Sequence, residues 1–345
     1  MCEQKSVLYF DASYTLDVFC FLDMLFLDVL SKDESIVTHF EVLLSSGCSK
    51  ILRNARKRLP DNGTFLTTLL PIISADPEFN ELRLSELLGS PKYLITQLKK
   101  HPTYKGLPKD IKKFIRKDAV WVIEQLAVVI AELEKAKFKT FWIQERLPLL
   151  KLKLKQYEKE IVPLRPVEQL NECLKPSCKE ELKVYLLSFY EGDSNQLLNR
   201  DIITSVQNSS TQVVKAIVDQ TFSTIKFENE LKLLAKQLKA NPEIMKCYEL
   251  VKGEHKQLTS YLECSINLAA IVYFYQKFHV LDRPYEYLGR YNFGSYKLSI
   301  LFYRYLELTP KKSEQLWGDY VKNMISEVEL GYYEQYCLQW MNQQS

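Results

Sequence analysis

The sequence predicts a predominantly helical α+β protein, and three observations support this fold class. Glycine and proline number only 10 and 13 among 345 residues, and long segments rich in Leu, Lys and Glu separate them. Hydrophobic residues make up 46% of the chain and charged residues 26%, a composition that can bury a large core. Short stretches rich in β-branched and aromatic residues, near 7–10 and 184–204, supply the strands.

The N-terminal part is predicted to be one strand followed by a series of helices. Val7–Phe10 is a short apolar run typical of a strand, and Ser13 or Thr15 is expected to cap the helix that follows, up to about residue 31. Further helices are predicted at 36–45, 50–58, 65–73, 78–88, 91–100, 110–117, 118–135 and 140–160, with a turn at 60–63, a loop at 101–108 and a kink or break at Pro148.

Charge and composition narrow the classes of partner and the compartment. With 46 basic and 43 acidic residues the net charge is +3, which favours neither nucleic acid nor an anionic membrane as a partner. The most hydrophobic segment contains Asp17, Asp23 and Asp28, which would be costly in lipid, so it is predicted to be a buried helix. The eight scattered cysteines and the lack of a recognisable secretory signal predict reduced thiols and a cytoplasmic location.

The C-terminal part begins with strand-like sequence and then becomes helical again. Segments 184–190 and 197–204, separated by a turn at 191–194, predict an antiparallel hairpin. Ser209–Thr211 is expected to cap a buried helix at 213–222. The remaining predictions are a break at 241–242, helices at 259–278, 296–306 and 315–330, a Tyr-rich loop at 281–295, and a division into 1–165 and 166–345 within one compact unit.

Five elements, in order along the chain, resemble those of a known family. They are the strand and helix at 7–30, the segment Phe141-Trp142 to Leu147-Pro148, the two strands at 184–204, the helix at 213–222, and Tyr261-Leu262-Glu263. In this order they resemble a bacterial group of gluzincins, HExxH-type zinc metallopeptidase-like proteins. The resemblance implies a zincin-like C-terminal half with a small sheet, packed on an N-terminal helical layer.

The zinc motif of that family is degenerate in this chain. In an HExxH helix two histidines at i and i+4 bind zinc and the Glu acts as general base. The matching segment is Val218-Asp219-Gln220-Thr221-Phe222, so apolar residues replace both histidines and Asp219 replaces the base. Only Glu263 matches a ligand residue. The resemblance therefore implies that zinc is lost and no cofactor is bound. Independently, Val218 and Phe222 belong to an apolar stripe typical of a helix core.

The leading hypothesis is a pseudopeptidase that binds a peptide or protein partner without cleaving it. An edge strand carrying Ile203 and Thr204 can hold an extended peptide by backbone hydrogen bonds. Tyr287 and Tyr291 belong to the predicted loop at 281–295, and Tyr296 follows it directly; a zincin-like half would place this loop near the same groove. Neither nucleic acid nor a membrane is expected as a partner, and nothing in the sequence indicates an oligomeric state.

Two alternatives belong to other classes. The first is an active hydrolase with a non-standard site formed by Asp219, His255 and Glu263. The second is an all-helical interaction protein unrelated to peptidases, which a fold without a sheet beside the 213–222 helix would favour. No intact phosphate loop, nucleophile elbow or closed zinc motif is present in the sequence.

Overall fold

A computed structural model describes most of the chain. The described residues are 7–25, 34–60, 64–73, 88–174, 181–191, 195–196, 201–223, 225 and 230–327. They are predominantly helical with one small sheet, which confirms the predicted fold class at that level. The predicted helix at 78–88 lies outside the described residues apart from Leu88, as do Asp28, most of the turn at 60–63 and the first half of the strand predicted at 197–204.

The chain divides into two compact units. The sheet unit consists of Leu8–Glu160 and Leu182–Ser209, and the helical unit consists of Met1–Val7, Ile161–Glu181 and Ser210–Ser345. The predicted boundary at residue 165 is close to the crossing after Glu160. Residues 182–209, however, join the N-terminal part, because their strands pair in one sheet with the first strand of the chain.

The sheet unit contains one four-stranded sheet and nine α-helices within its described residues. The strands are β1 (Val7–Ala12), β2 (Glu181–Leu187), β3 (Asn195–Gln196) and β4 (Ile202–Ser205), in the order β1-β2-β4-β3. The helices are α1 (Tyr14–Met24), α2 (Glu34–Leu43), α3 (Ser46–Arg56), α4 (Phe65–Ile73), α5 (Pro91–Lys100), α6 (Lys109–Lys117), α7 (Ala119–Lys135), α8 (Phe138–Phe141) and α9 (Leu147–Ile161).

The predicted antiparallel hairpin is wrong. Strands β2 and β4 pair in parallel, with Val184 opposite Ile202 and Leu187 opposite Ser205. The connection between them spans residues 188–201, which is long enough for the crossover that parallel neighbours require. The antiparallel partner of β4 is the short strand β3.

Helix α1 is buried on all sides and carries two buried carboxylates. The side chain of Ser13 accepts a hydrogen bond from the backbone N–H of Leu16 at 3.2 Å, which confirms Ser13 as the cap. Asp17 accepts from the indole N–H of Trp142 at 2.8 Å, from the N–H and hydroxyl of Ser188 and from the N–H of Phe189. These bonds satisfy a carboxylate that is otherwise costly to bury, and burial still raises its pKa.

A π-helical turn at Trp142–Arg146 joins α8 to α9. The backbone N–H of Leu147 donates to the carbonyl of Trp142, five residues earlier. Pro148 has no N–H and would collide with the carbonyl four residues before it in an uninterrupted α-helix. The wider turn accommodates the proline at the start of α9, and the predicted kink at Pro148 therefore takes the form of a π turn.

The described part of the helical unit consists of helices. They are α10 (Pro166–Leu174), α11 (Ser210–Ser223), α12 (Glu230–Leu238), α13 (Pro242–Val251), α14 (Leu258–Lys277), α15 (Pro284–Arg290), α16 (Leu298–Leu308) and α17 (Trp317–Glu327), with 3₁₀ turns at Val162–Leu164 and Tyr291–Gly294. Helix α14 forms the centre and packs against α11, α12 and α16. Asn241 caps α13 by accepting from the N–H groups of Glu243 and Ile244, as the predicted break at 241–242 requires.

Candidate functional site

Helix α11 is the buried helix that the sequence predicted at 213–222. Val218 and Phe222, the residues at the two histidine positions of the zinc motif, are both fully buried. The ring of Phe222 packs against Phe274 of α14 at 5.7 Å and against Trp317 of α17 at 5.9 Å. These contacts make both residues part of the core of the helical unit.

Six tyrosines beside α14 form a continuous chain of ring contacts, which we call the tyrosine row. Their order in space is Tyr275, Tyr287, Tyr291, Tyr296, Tyr261 and Tyr248, and the centroids of successive rings are 5.5 to 6.5 Å apart. Such distances are typical of favourable aromatic pairs. The structure thus brings together Tyr287, Tyr291 and Tyr296, the three tyrosines that the sequence predicted to bind a peptide, but it buries Tyr296, of which only 6% is exposed.

A carboxylate stands at one end of the tyrosine row. The hydroxyl of Tyr275 donates to Oδ1 of Asp219 at 2.5 Å, and the ammonium of Lys215 lies 5.3 Å from the centroid of the Tyr275 ring. Burial, reinforced by the charge of Asp219, raises the pKa of Tyr275, so its hydroxyl remains a donor at neutral pH. Desolvation raises the pKa of Asp219, although the hydrogen bond from Tyr275 and the charge of Lys215 both oppose it.

An imidazole lies towards the other end of the row. Nε2 of His255 is 2.5 Å from the hydroxyl oxygen of Tyr296, and Nδ1 is 3.1 Å from Oγ of Ser260. The carbonyl of His255 accepts from the hydroxyl of Tyr248 at 3.2 Å. Both ring nitrogens of this buried histidine are therefore occupied by neutral hydroxyl groups, an arrangement that fixes the ring in place.

The turn that follows Tyr291 holds three consecutive residues in the left-handed region. The φ angles of Asn292, Phe293 and Gly294 are 43°, 57° and 76°. This conformation is costly for a residue with a bulky side chain, by about 1–2 kcal/mol. At Gly294 the turn requires glycine, because an added Cβ would also lie 3.2 Å from the carbonyl oxygen of Gly289.

Hydrogen bonds on the far side of the turn hold this conformation. The N–H and the hydroxyl of Ser295 both donate to the carbonyl of Asn292, at 3.2 and 2.6 Å. The carbonyl of Ser295 in turn accepts from the hydroxyl of Tyr261 at 2.9 Å. As a result Phe293 is held outward with 99% of its surface exposed, next to Tyr291, which is 40% exposed.

The remaining predicted site residues are not members of the tyrosine row. Glu263 is half-buried on α14, two residues after Tyr261, and about 18 Å along the helix from Tyr275, which binds Asp219. Ile203 and Thr204 are fully buried in β4, which lies between β2 and β3 in the sheet. Strand β4 is therefore an interior strand and not the predicted edge strand: Ile203 pairs with both β2 and β3, and Thr204 pairs with β2.

Sequence reasoning assigned neither Phe293 nor three members of the row, Tyr248, Tyr261 and Tyr275, to this site. Tyr275 joins the row only because α14 packs against α11, a contact between residues far apart in sequence. Phe293 appeared as one of several aromatic residues in a loop. The signal that was available is the pair of glycines at 289 and 294 around Asn-Phe, since Asn and Gly are the residues that most readily adopt positive φ.

Comparisons with other proteins do not identify a family for this chain. No protein family model, no curated protein and no solved structure matches this chain. Within the residues that the structure describes, no group of three or more His, Cys, Asp or Glu side chains could hold a metal ion. None of the described helices has the length and apolar character needed to cross a bilayer.

Proposed function

We propose that this chain is a binding protein that recognises a polypeptide partner through the surface formed by Tyr287, Tyr291 and Phe293. The observation that carries the proposal is the outward position of Phe293 on a strained turn. Exposure of a phenylalanine side chain forgoes about 1.5–3 kcal/mol relative to its burial, and the left-handed backbone costs further free energy. A partner with an apolar pocket would bury the phenyl ring and so recover the free energy of its burial.

The neighbouring groups favour a polypeptide over a purely apolar ligand. Tyr291 and Tyr287 extend the aromatic surface with hydroxyl groups, and Arg290 and Glu286 of α15 form an ion pair at 2.7 Å beside them. A central aromatic residue surrounded by tyrosine and charged groups is the usual composition of a protein interaction surface.

Selection of peptides from a random phage-displayed library on the immobilised chain tests this proposal. We expect the selected peptides to lose at least tenfold in affinity, about 1.4 kcal/mol, for Phe293→Ser. Leu308→Ser is the matched control, because Leu308 is also apolar and 63% exposed in the same unit. Gly294→Ala keeps the phenyl ring but strains the turn, and should also weaken binding. Peptides that bind Phe293→Ser as well as the wild type would refute the proposal.

The pseudopeptidase hypothesis further states that this binding protein is a gluzincin-like chain that has lost its zinc ligands. It is supported by the burial of Val218 and Phe222 at the positions where the gluzincin motif has zinc ligands. The absence of strands from the described part of the helical unit instead favours the alternative of a helical interaction protein. Metal analysis and a peptidase assay test whether the protein is catalytic. Stoichiometric zinc together with chelator-sensitive cleavage of a peptide library would contradict a non-catalytic protein.

The hydrolase hypothesis has less support. Asp219 and His255 contact different members of the tyrosine row, with Tyr287 and Tyr291 between the partners that they bind. A cytoplasmic location remains a prediction.

A further inference from the structure

A second site lies within the helical unit, in a cavity of about 480 Å³ bordered by α10, α14, α16, α17 and the loop before α17. A volume of this size falls in the range of small-molecule binding sites. Neither Phe293 nor any member of the tyrosine row lines it. The cavity is therefore independent of the surface proposed above.

The wall of the cavity contains an indole donor without an acceptor. Trp317 is 95% buried, with 5% of its surface exposed, and its buried Nε1–H donates to no group in the described residues. The ring is held by stacking on Tyr320 at 5.6 Å and by an edge contact with Phe222 at 5.9 Å. An indole nitrogen can only donate, so Nε1 lacks the acceptor that a buried donor requires.

Two lysines make the cavity positively charged. The ammonium of Lys311 is held by the carbonyls of Gln315 and Lys312, at 2.5 and 2.9 Å, and that of Lys277 lies 5.6 Å from the Phe274 ring. Neither lysine forms an ion pair with a carboxylate of the described residues. Positive charges without a counterion attract an anion, and more strongly where the surrounding protein replaces part of the screening water.

The other lining groups of the cavity indicate which chemical groups a ligand would have. The hydroxyl of Tyr273 has no partner among the described residues, and burial raises its pKa so that it remains a donor. Glu172 is the one carboxylate that lines the cavity, and it is exposed. Gln169, Cys173 and Ser313 add polar groups, and aromatic, leucine and proline side chains form the remaining wall. Donors and positive charge thus share the cavity with apolar side chains.

We infer that this cavity binds a small amphipathic carboxylate, whose apolar body packs on Trp317 and Tyr320 and whose head group accepts from the donors and faces Lys277. The probe for a test is 4-phenylbutyrate, compared with the matched alcohol 4-phenyl-1-butanol and the matched amine 4-phenylbutylamine. The readout is the indole N–H resonance of Trp317 in the ¹⁵N-labelled full chain, identified by its loss in Trp317→Phe.

We expect a saturable shift of this resonance with the carboxylate, and binding at least tenfold weaker, about 1.4 kcal/mol, for the alcohol and the amine. Lys277→Gln should weaken carboxylate binding about tenfold. Lys277 is exposed, so this variant should fold regardless of how Trp317→Phe behaves. The matched control is Lys322→Gln, which removes an exposed lysine of α17 that does not line the cavity.

Three results would overturn the inference. The first is the absence of a saturable shift up to about 10 mM carboxylate, which is about ten times the dissociation constant of a weak, millimolar complex. The second is equal affinity for the amine, which would show that charge plays no part. The third is an equal loss in Lys277→Gln and Lys322→Gln, which would show that only the overall charge of the protein matters. None of these results bears on the role of Phe293.

Discussion

At the scale of single residues, the buried carboxylate of Asp23 makes the stability of the sheet unit depend on pH. Asp23 is 8% exposed and accepts from the N–H groups of Phe65 and Leu66, at 2.6 and 3.1 Å, at the start of α4. Burial raises its pKa to about 6, even though both hydrogen bonds and Arg56 lower it. Since the folded-state pKa lies above the unfolded one, the contribution of Asp23 to stability is fully present below the unfolded pKa and is lost as pH rises through 6.

The direction of this pH dependence can be measured by comparison with Asp23→Asn, which keeps an acceptor oxygen but does not titrate. The difference in unfolding free energy, wild type minus variant, should increase by about 2 kcal/mol as pH falls from 7 to 4. Urea denaturation at four or five pH values gives this difference, in which the other carboxylates cancel. A difference that stays constant, or decreases on acidification, would show that Asp23 titrates with a normal or lowered pKa.

At the scale of secondary-structure elements, the π turn between α8 and α9 places Trp142 against Asp17. Both side chains are buried and joined by a 2.8 Å hydrogen bond across 125 residues of sequence. Trp142→Phe removes the donor while it keeps most of the ring, so we expect a loss of about 1–3 kcal/mol in unfolding free energy. Trp121→Phe is the matched control, because the Trp121 ring contacts the guanidinium of Arg58 and has no such bond to a buried carboxylate.

A double-mutant cycle with Asp17→Ala, which removes both acceptor oxygens, isolates the bond itself. If the π turn serves to form this contact, Trp142→Phe should cost less in the Asp17→Ala background than in the wild type, with a coupling free energy of about 0.5–3 kcal/mol. Costs that simply add would mean that Trp142 contributes packing alone.

The secondary-structure elements also show which features can be predicted from the sequence and why. Helices α11 and α14 were predicted close to their bounds, because apolar spacing and the capping residues are local signals. The pairing of β2 with β4 was also predicted, but its parallel direction was not, since the direction depends on the course of a long connection. Of the surface residues, Tyr287 and Tyr291 were predicted from a segment expected to be a loop, although Tyr287 lies in helix α15. The exposure of Phe293 was not predicted, because it depends on hydrogen bonds that Ser295 donates to the carbonyl of Asn292.

At the scale of the whole molecule, the two units have separate cores, although the chain passes between them several times. Phe21 packs with Phe40, Phe138 and Phe189 in the sheet unit, and Phe222 packs with Phe274 and Trp317 in the helical unit. Both phenylalanines are fully buried. Replacement of either by alanine should cost about 3–5 kcal/mol, because it removes apolar contacts and leaves a cavity.

Hydrogen exchange distinguishes two modes of unfolding. If each core is a cooperative unit, Phe21→Ala should accelerate exchange of protected amides in 8–160 and 182–209 and leave those in 210–327 near wild-type rates. Phe222→Ala, of the same chemistry, should produce the reverse pattern and serves as the internal control.

The more informative segment is 182–209, which lies between two helical-unit segments in the chain but pairs with β1 in the sheet. Its amides should respond to Phe21→Ala, because strand pairing rather than chain connectivity determines the unit to which it belongs. Equal acceleration throughout the chain by both variants would instead show one cooperative core.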